Sequence, residues 1–234
     1  MKRFWKYLLI LVAVVALWNT GIIKPLKLFA VFLHELGHAF MGLVFGYGLQ
    51  ELNIGFNESG YALVKSKSWF SSFMVANGGY LGSVLFALLI LYLKRTFFKR
   101  YILGTLAVIF MIVSIKYSGF SFTLIYSIIF TALVLLIYMV DNENVIEWAI
   151  DIMGISSLAY AVYDTFVDTI LLQINLKFHL IRGWKVEQPL TDAVQLAQMT
   201  GIPAIVWGII WIIISMFAIY MVLLKDNKSR KRYY

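Results

Sequence analysis

Residues 34 to 38 read His-Glu-Leu-Gly-His, inside an apolar stretch from Leu26 to Phe45 that is about long enough to cross a bilayer. On a helix, positions four apart lie on the same face one turn apart, so the imidazoles of His34 and His38 project together. This spacing lets two nitrogens share one zinc ion, with Glu35 beside them to act on a metal-bound water. Ionisable groups at membrane depth usually mark a working site. The motif therefore predicts a metal centre within the lipid layer.

A catalytic zinc needs a third protein ligand and keeps one position open for water. The chain has no cysteine, so this ligand must be a histidine or an acid. The remaining histidine, His179, lies in a polar stretch, whereas Asp164 and Asp168 lie four apart inside an apolar window. A metal ion stabilises carboxylates that are otherwise unfavourable in a span. We expect one of these acids to bind the metal and the other to orient a histidine or the water.

The composition places the chain in the membrane. Hydrophobic residues make up 62% of it and charged residues only 14%, with a mean hydropathy of +0.84. Soluble domains are typically about 45–50% apolar and about 25% charged. The net charge is +8, but most basic residues flank apolar spans, where they meet lipid head groups, so nucleic acid is not an expected partner.

Apolar windows of about 15–25 residues, separated by charges, predict six or seven transmembrane helices. The windows run from Phe4 to Ile23, Leu26 to Phe45, Trp69 to Leu93, Tyr101 to Ile115, Phe120 to Val140, Ile152 to Ile174 and Pro203 to Leu224. Residues 142–151 are expected to form an amphipathic helix at the membrane surface.

Between Tyr47 and Ser68 the chain becomes polar, with alternating apolar residues on either side of Asn57-Glu58-Ser59-Gly60. This pattern predicts a β-hairpin beside the His-Glu helix. The expected fold class is an all-α membrane protein, a polytopic bundle of six or seven transmembrane helices with this hairpin between the second and third spans. We expect one integral membrane domain over residues 1–234, with a metal core over about 26–215 and a basic tail over 225–234.

The segment Phe32-Leu-His-Glu-Leu-Gly-His-Ala-Phe40 resembles the metal helix of the site-2-protease-type intramembrane zinc metallopeptidases. Further stretches resemble a divergent, peptidase-like branch of that clan of small polytopic membrane proteins, in the same order and over roughly residues 26 to 215. They are Gly-Gly-Tyr-Leu-Gly-Ser at 78–83, Tyr-Ala-Val-Tyr-Asp-Thr-Phe-Val-Asp at 160–168, Thr-Asp-Ala-Val at 191–194 and Trp-Gly-Ile-Ile-Trp at 207–211. The Asn-Pro and Leu-Asp-Gly motifs of the better-known members are absent from this sequence.

The resemblance implies a zinc metalloprotease that hydrolyses a peptide bond within or near the membrane. By that resemblance His34, His38 and Asp164 are the metal ligands, with Asp168 as the alternative or supporting acid, and Glu35 is the catalytic acid and base. It also implies that the hairpin over 47–66 helps to place an extended segment of a membrane-embedded or membrane-proximal protein substrate. The expected location is the lipid bilayer of a prokaryotic cell membrane, as a multi-pass protein.

Several residues allow two interpretations. Asn77, Gly78 and Gly79 could contact substrate, but small residues at this spacing also serve close helix packing, and an amide can bond within a bundle. Asp192 is expected at the start of a short helix with Thr191 as the N-cap, where a capping role is the default. The resemblance includes Asp192 in the family pattern and so implies a site role as the alternative, by analogy only.

Two other functions are compatible with the motif. A membrane scaffold could keep the zinc ligands without turnover. A proton- or ion-coupled transporter could use Glu35, Asp164 and Asp168 as a relay, because acids in a span often line such pathways.

Overall fold

A computed structural model describes residues 2–179 and 190–225 of the chain. Within these ranges the chain forms nine α-helices and one two-stranded sheet: α1 Lys2–Ala16, α2 Lys24–Phe45, β1 Leu49–Ile54, β2 Gly60–Val64, α3 Trp69–Leu93, α4 Ile102–Tyr117, α5 Phe122–Met139, α6 Glu143–Thr165, α7 Leu172–Phe178, α8 Asp192–Thr200 and α9 Ala204–Ile219. A 3-10 turn, Phe97–Tyr101, precedes α4, and π-helical segments, Phe166–Leu171 and Tyr220–Lys225, follow α6 and α9. Most of the expected basic tail, from residue 226 on, and residues 180–189 of the polar stretch lie outside the described residues.

Six helical stretches of the described chain are long and apolar enough to cross a membrane. They are Lys24–Phe45, Trp69–Leu93, Phe97–Tyr117, Phe122–Met139, Glu143–Phe178 and Ala204–Leu223. The first predicted window gives only a shorter apolar helix, Phe4–Ala16, because the chain then turns and the Thr20 hydroxyl donates to the Leu17 carbonyl at 2.7 Å. The predicted polytopic bundle is confirmed.

The predicted hairpin is also confirmed: β1 and β2 pair antiparallel beside the bundle. Leu52 and Ile54 of β1 are buried, and the backbone N–H of Ile54 donates to the hydroxyl of Thr123 on α5 at 2.9 Å. In the described chain the sheet has only these two strands, so the second edge of β2 carries no strand partner there. Both strands of the hairpin therefore contact the bundle, β1 at α5 and β2 at α2, where Val64 lies against Gly42. The more exposed strand, β2, is the outer strand.

Helix α2, which carries the His-Glu motif, packs tightly against α3 at glycines. A Cβ on Gly37 would overlap the backbone oxygen of Gly78, and a Cβ on Gly82 would lie 2.7 Å from the Cα of Gly37. Only glycine permits this approach of two backbones, which is the usual role of small residues in membrane bundles. The contact brings the backbone of α3 directly to the His-Glu turn.

Aromatic rings fix another side of α2. Phe32 stacks on Phe110 of α4 with ring centroids 3.9 Å apart, and Phe29 stacks on Phe130 of α5 at 5.0 Å. All four rings are buried. Such pairs add to the packing energy and restrict rotation of α2 about its axis.

Helix α6 begins earlier than the sequence suggested, because residues 143–151 are its first turns rather than a separate surface helix. The side chain of Asn142 accepts the N–H of Asn144 and starts the helix, and no proline or glycine interrupts it before Gly154. Asp151 is fully buried, and its Oδ2 accepts from Lys6 of α1 at 2.7 Å and from Lys94 at the end of α3 at 2.6 Å. This charge cluster joins α1, α3 and α6.

Helix α8 folds back onto α3 and α9. Ala193 and Leu196 are fully buried in one cluster with Tyr80 and Trp211. As expected, Thr191 is the N-cap, and its hydroxyl accepts the N–H of Val194 at 3.4 Å. The cap and the buried face together place the first residue of α8, Asp192, beside α2 and α3.

Candidate metal centre

Three side chains from two distant parts of the chain converge at the middle of α2. Nε2 of His34, Nε2 of His38 and Oδ2 of Asp192 form a triangle in which each pair of atoms lies 3.2 Å apart. Among the described residues, these three are the set of histidines and acids whose ligand atoms all lie within 4.8 Å of one another. His34 and Asp192 retain 17% and 16% side-chain exposure, so the triangle is partly open to the surface of the protein.

The orientation of His38 is suited to metal binding. Its Nδ1 lies 2.8 Å from the backbone oxygen of Val75, which can only accept a hydrogen bond, so Nδ1 carries the proton. In the neutral imidazole, Nε2 then holds a free lone pair directed into the triangle. Metal-binding histidines are commonly fixed in this way by a carbonyl on their other nitrogen.

The size of the triangle fits a tetrahedral zinc ion. Zinc binds imidazole nitrogen and carboxylate oxygen at about 2.0–2.2 Å, and an edge of such a tetrahedron is roughly 3.3–3.6 Å. The observed edges of 3.2 Å are close to this length. Two imidazoles and one carboxylate also form a donor set of the kind found in catalytic zinc sites.

Gly79 leaves the space that an ion requires. A Cβ at this position would overlap Nε2 of both His34 and His38. The absence of a side chain therefore forms an open cradle between α3 and the two nitrogens. The donor set, its spacing and this cradle all fit zinc.

Asp192 lies outside the six membrane-length helices, and its charge state is controlled by the histidines. Burial disfavours its carboxylate, but when the imidazoles are protonated the charge of His38 and hydrogen bonds from both rings outweigh burial and hold the pKa of Asp192 below its usual range. In the neutral, metal-binding form of the imidazoles, the cation would supply the positive charge instead. The carboxylate is therefore ionised, as a metal ligand must be.

Glu35 lies next to the triangle and beneath the hairpin. Its side chain is only 5% exposed, and a Cβ on Gly60, the first residue of β2, would overlap its Oε1. The carboxylate thus contacts the outer strand of the hairpin while its neighbour in the chain, His34, faces the triangle. A carboxylate in this place lies between the imidazoles and the strand.

The structure brings Asp192, and neither Asp164 nor Asp168, to the imidazole triangle. Oδ2 of Asp168 instead accepts a hydrogen bond from the hydroxyl of Tyr80 at 3.3 Å. Asp164 interacts electrostatically with Asp168 and His34 but does not belong to the set of three ligand atoms. The third residue of the triangle is therefore Asp192, whereas the resemblance implied Asp164.

The physical reason for this difference is the course of the chain after α7. Asp164 and Asp168 lie inside an apolar window, whereas Asp192 follows a polar stretch and reaches the centre because α8 folds back into the bundle. The family-like stretch Thr-Asp-Ala-Val at 191–194 was one available signal, and it implied a site role only by analogy. The other two were the apolar face of α8 and the Thr191 cap. Both indicate a packed helix whose first residue is fixed, but neither indicates which helix it meets.

The three residues of α3 for which the sequence allows substrate contact have different surroundings. Asn77 uses its Oδ1 to accept from Trp211 at 2.8 Å and its Nδ2 to donate to the Phe73 carbonyl at 2.8 Å. Gly78 packs against Gly37, and Gly79 faces the imidazoles. The observed contacts of Asn77 and Gly78 are thus packing and bonding within the bundle, and Gly79 lies beside Nε2 of both imidazoles.

Comparison with known proteins supports the resemblance seen in the sequence. A family model described as Peptidase M50B-like matches residues 7–222, which includes all three corners of the triangle. No curated protein and no solved structure matches the chain.

Proposed function

We propose that this chain, which belongs to the Peptidase M50B-like family, is an intramembrane zinc metalloprotease with His34, His38 and Asp192 as its metal ligands. The observation that carries this proposal is the triangle of three ligand atoms with 3.2 Å edges beside the Gly79 cradle. The proposed reaction is hydrolysis of a peptide bond of a membrane-embedded or membrane-proximal protein.

The chemistry divides between the ion and the protein. When bound, zinc supplies Lewis acidity, which polarises a carbonyl and lowers the pKa of water to about 7. Glu35 accepts a proton from the attacking water and returns it to the leaving amine. Since Glu35 is buried next to the triangle, it is shielded from bulk water, and the partial exposure of His34 and Asp192 provides the entry for the attacking water.

The hairpin provides a way to hold the substrate. A peptide bond in a transmembrane helix is protected by the hydrogen bonds of that helix, so the substrate must unwind locally before cleavage. An extended segment could add to the second edge of β2, which has no strand partner in the described chain. Because Gly60 of β2 contacts Glu35, a segment in this position would run towards the general base.

The proposed setting is a prokaryotic cell membrane, where the six membrane-length helices of the described chain lie in lipid. The substrate enters from the bilayer or its surface. Nucleic acid has no part in this proposal.

The proposal is tested by comparing wild type with Glu35→Gln after purification and reconstitution. Zinc is measured per chain, and cleavage is measured by mass spectrometry on a panel of transmembrane peptides in liposomes. We expect near-stoichiometric zinc in both proteins and a loss of cleavage of about 10²–10⁴-fold in the variant. Glu143→Gln, which alters an exposed acid at the start of α6, is the matched control and should cleave like wild type.

The other outcomes identify the alternatives. Zinc in both proteins without cleavage by either would favour the non-catalytic scaffold. No zinc in wild type would contradict a metal centre and favour an ion-coupled transporter with Glu35, Asp164 and Asp168 as its acids.

A further inference from the structure

We propose that Tyr80 is a positioning residue of this centre. Its ring holds the His34 imidazole in place for metal binding, and a hydrogen bond from its hydroxyl to Asp168 orients the ring. This inference rests on the proposed zinc site and goes beyond the ligands and the general base. It assigns a role to Asp168, which the triangle does not use.

The ring of Tyr80 is confined between two other rings. Tyr80 is only 3% exposed, and its ring meets that of His34 edge to face, with centroids 4.6 Å apart and planes at 84°. On α9, Trp211 packs against the same ring with centroids 4.7 Å apart. Trp211 is itself fully buried and donates its indole N–H to Asn77. The ring that supports His34 therefore cannot turn without disturbing α9.

The hydroxyl of Tyr80 is held from a third direction. It donates to Oδ2 of Asp168 at 3.3 Å, and Asp168 belongs to the π-helical segment Phe166–Leu171. Single π-helical turns inside α-helices are frequent at functional sites, because they shift side chains out of the regular helical positions. In this protein the π-helical segment places the Asp168 carboxylate within hydrogen-bonding distance of the Tyr80 hydroxyl.

Tyr80 also packs beside the second ligand-bearing helix. It shares a buried cluster with Ala193 and Leu196 of α8, the helix that begins with Asp192. The Tyr80 side chain therefore contacts the imidazole of His34 and also belongs to the buried cluster that packs α8, the helix of Asp192, against the bundle. Metal sites depend on ligand positions to within a few tenths of an ångström. A residue that helps to position both His34 and the helix of Asp192 therefore influences the affinity for zinc.

The experiment measures zinc affinity by competition with a chromophoric chelator, using the purified full chain in detergent. Tyr80→Phe keeps the ring and removes the hydrogen bond, and Asp168→Ala removes the acceptor. Loss of a group that orients a metal ligand typically weakens binding about 10–100-fold, and we expect the lower end for each variant. The double variant should be no weaker than either single one, because all three lack the same bond. Asp168→Asn keeps an acceptor oxygen and should stay close to wild type.

Tyr126→Phe is the matched control. Tyr126 is likewise buried, and its hydroxyl donates to the Pro25 carbonyl at 2.5 Å, in a different cluster of the bundle. Its loss should leave zinc affinity unchanged. Thermal unfolding of each variant, measured without added metal, separates a loss of the fold from a loss of the site.

The contrary results are distinct. Wild-type affinity in Tyr80→Phe would overturn the role of the hydroxyl in positioning the ring, and additive losses in the double variant would overturn its link to Asp168. A wild-type protein that binds no zinc would overturn the proposed function and this role together, whereas tight binding by wild type and all variants would overturn this role alone.

Discussion

Nε2 of His34 lies 3.2 Å from Oδ2 of Asp192, although 158 positions separate the two residues in the chain. The centre is therefore assembled by tertiary packing of α8 against α3 and α9, and not by the His-Glu helix alone. Zinc binding should for this reason depend on residues that seat α8 as well as on the ligands themselves.

The cradle at Gly79 gives the first prediction. Gly79→Ala places a Cβ against Nε2 of both imidazoles, so the side chains must move apart. We expect zinc affinity to fall at least about 10-fold, while helix stability does not suffer because alanine is the better helix former by about 1 kcal/mol. Competition titration measures the affinity, and thermal unfolding checks the fold.

The control for Gly79 is Gly21→Ala, since a Cβ on Gly21 meets no atom within 4 Å. This variant should bind zinc like wild type. Unchanged affinity in Gly79→Ala would show that the space beside the imidazoles is not used by the ion.

The contact between Gly60 and Glu35 gives the second prediction. A Cβ on Gly60 would displace the Oε1 of Glu35 without touching the triangle, so Gly60→Ala should keep its zinc and lose cleavage. Misplacement of a catalytic group by about 1 Å can lower a rate about 10²-fold. The measurement is cleavage of the same liposome peptides, with zinc content determined on the same sample. A loss of both zinc and cleavage would contradict the separate roles of the hairpin and the ligands.

The buried charge cluster gives the third prediction. Asp151 is fully buried between Lys6 and Lys94, so Asp151→Ala removes the carboxylate that both ammonium groups share and leaves Lys94 with the longer contact to Glu147 at 3.6 Å. Breaking a buried pair in this way costs about 3–5 kcal/mol in the free energy of unfolding. Denaturant titration in mixed micelles measures the change.

The comparison for Asp151 is Arg100→Ala, which breaks the exposed pair of Arg100 with Asp141. Exposed pairs contribute about 0–1 kcal/mol, so this variant should unfold almost like wild type. Equal effects of the two substitutions would show that the Lys6–Asp151–Lys94 cluster does not stabilise the bundle.

The pattern of apolar and polar residues within single elements was sufficient to predict the membrane helices and the hairpin of this fold. Apolar length identified the membrane helices, and alternation around residues 57–60 identified the hairpin, because both signals lie within one element. The spacing of His34 and His38 predicted that their nitrogens would share one face, and the structure places these nitrogens 3.2 Å apart. The start of α6 was missed because charged residues near Asp151 resemble a surface helix until their lysine partners are known.

The third corner of the triangle lay beyond such reasoning. Asp164 and Asp168 satisfied the local criterion, since they are acids in an apolar window. Asp192 reaches the site because the buried face of α8 packs on Tyr80 and Trp211, and only the tertiary structure shows this contact. Sequence spacing fixes ligands within a helix, but it does not tell which distant helix completes the site.

The central claim is tested most directly by the zinc content of purified wild type beside Asp192→Ala and Asp164→Ala, with His34→Ala as the ligand-loss reference. The geometry predicts near-stoichiometric zinc in wild type and Asp164→Ala, and a loss in Asp192→Ala as complete as in His34→Ala. Zinc retained by Asp192→Ala and lost by Asp164→Ala would contradict the proposed ligand set.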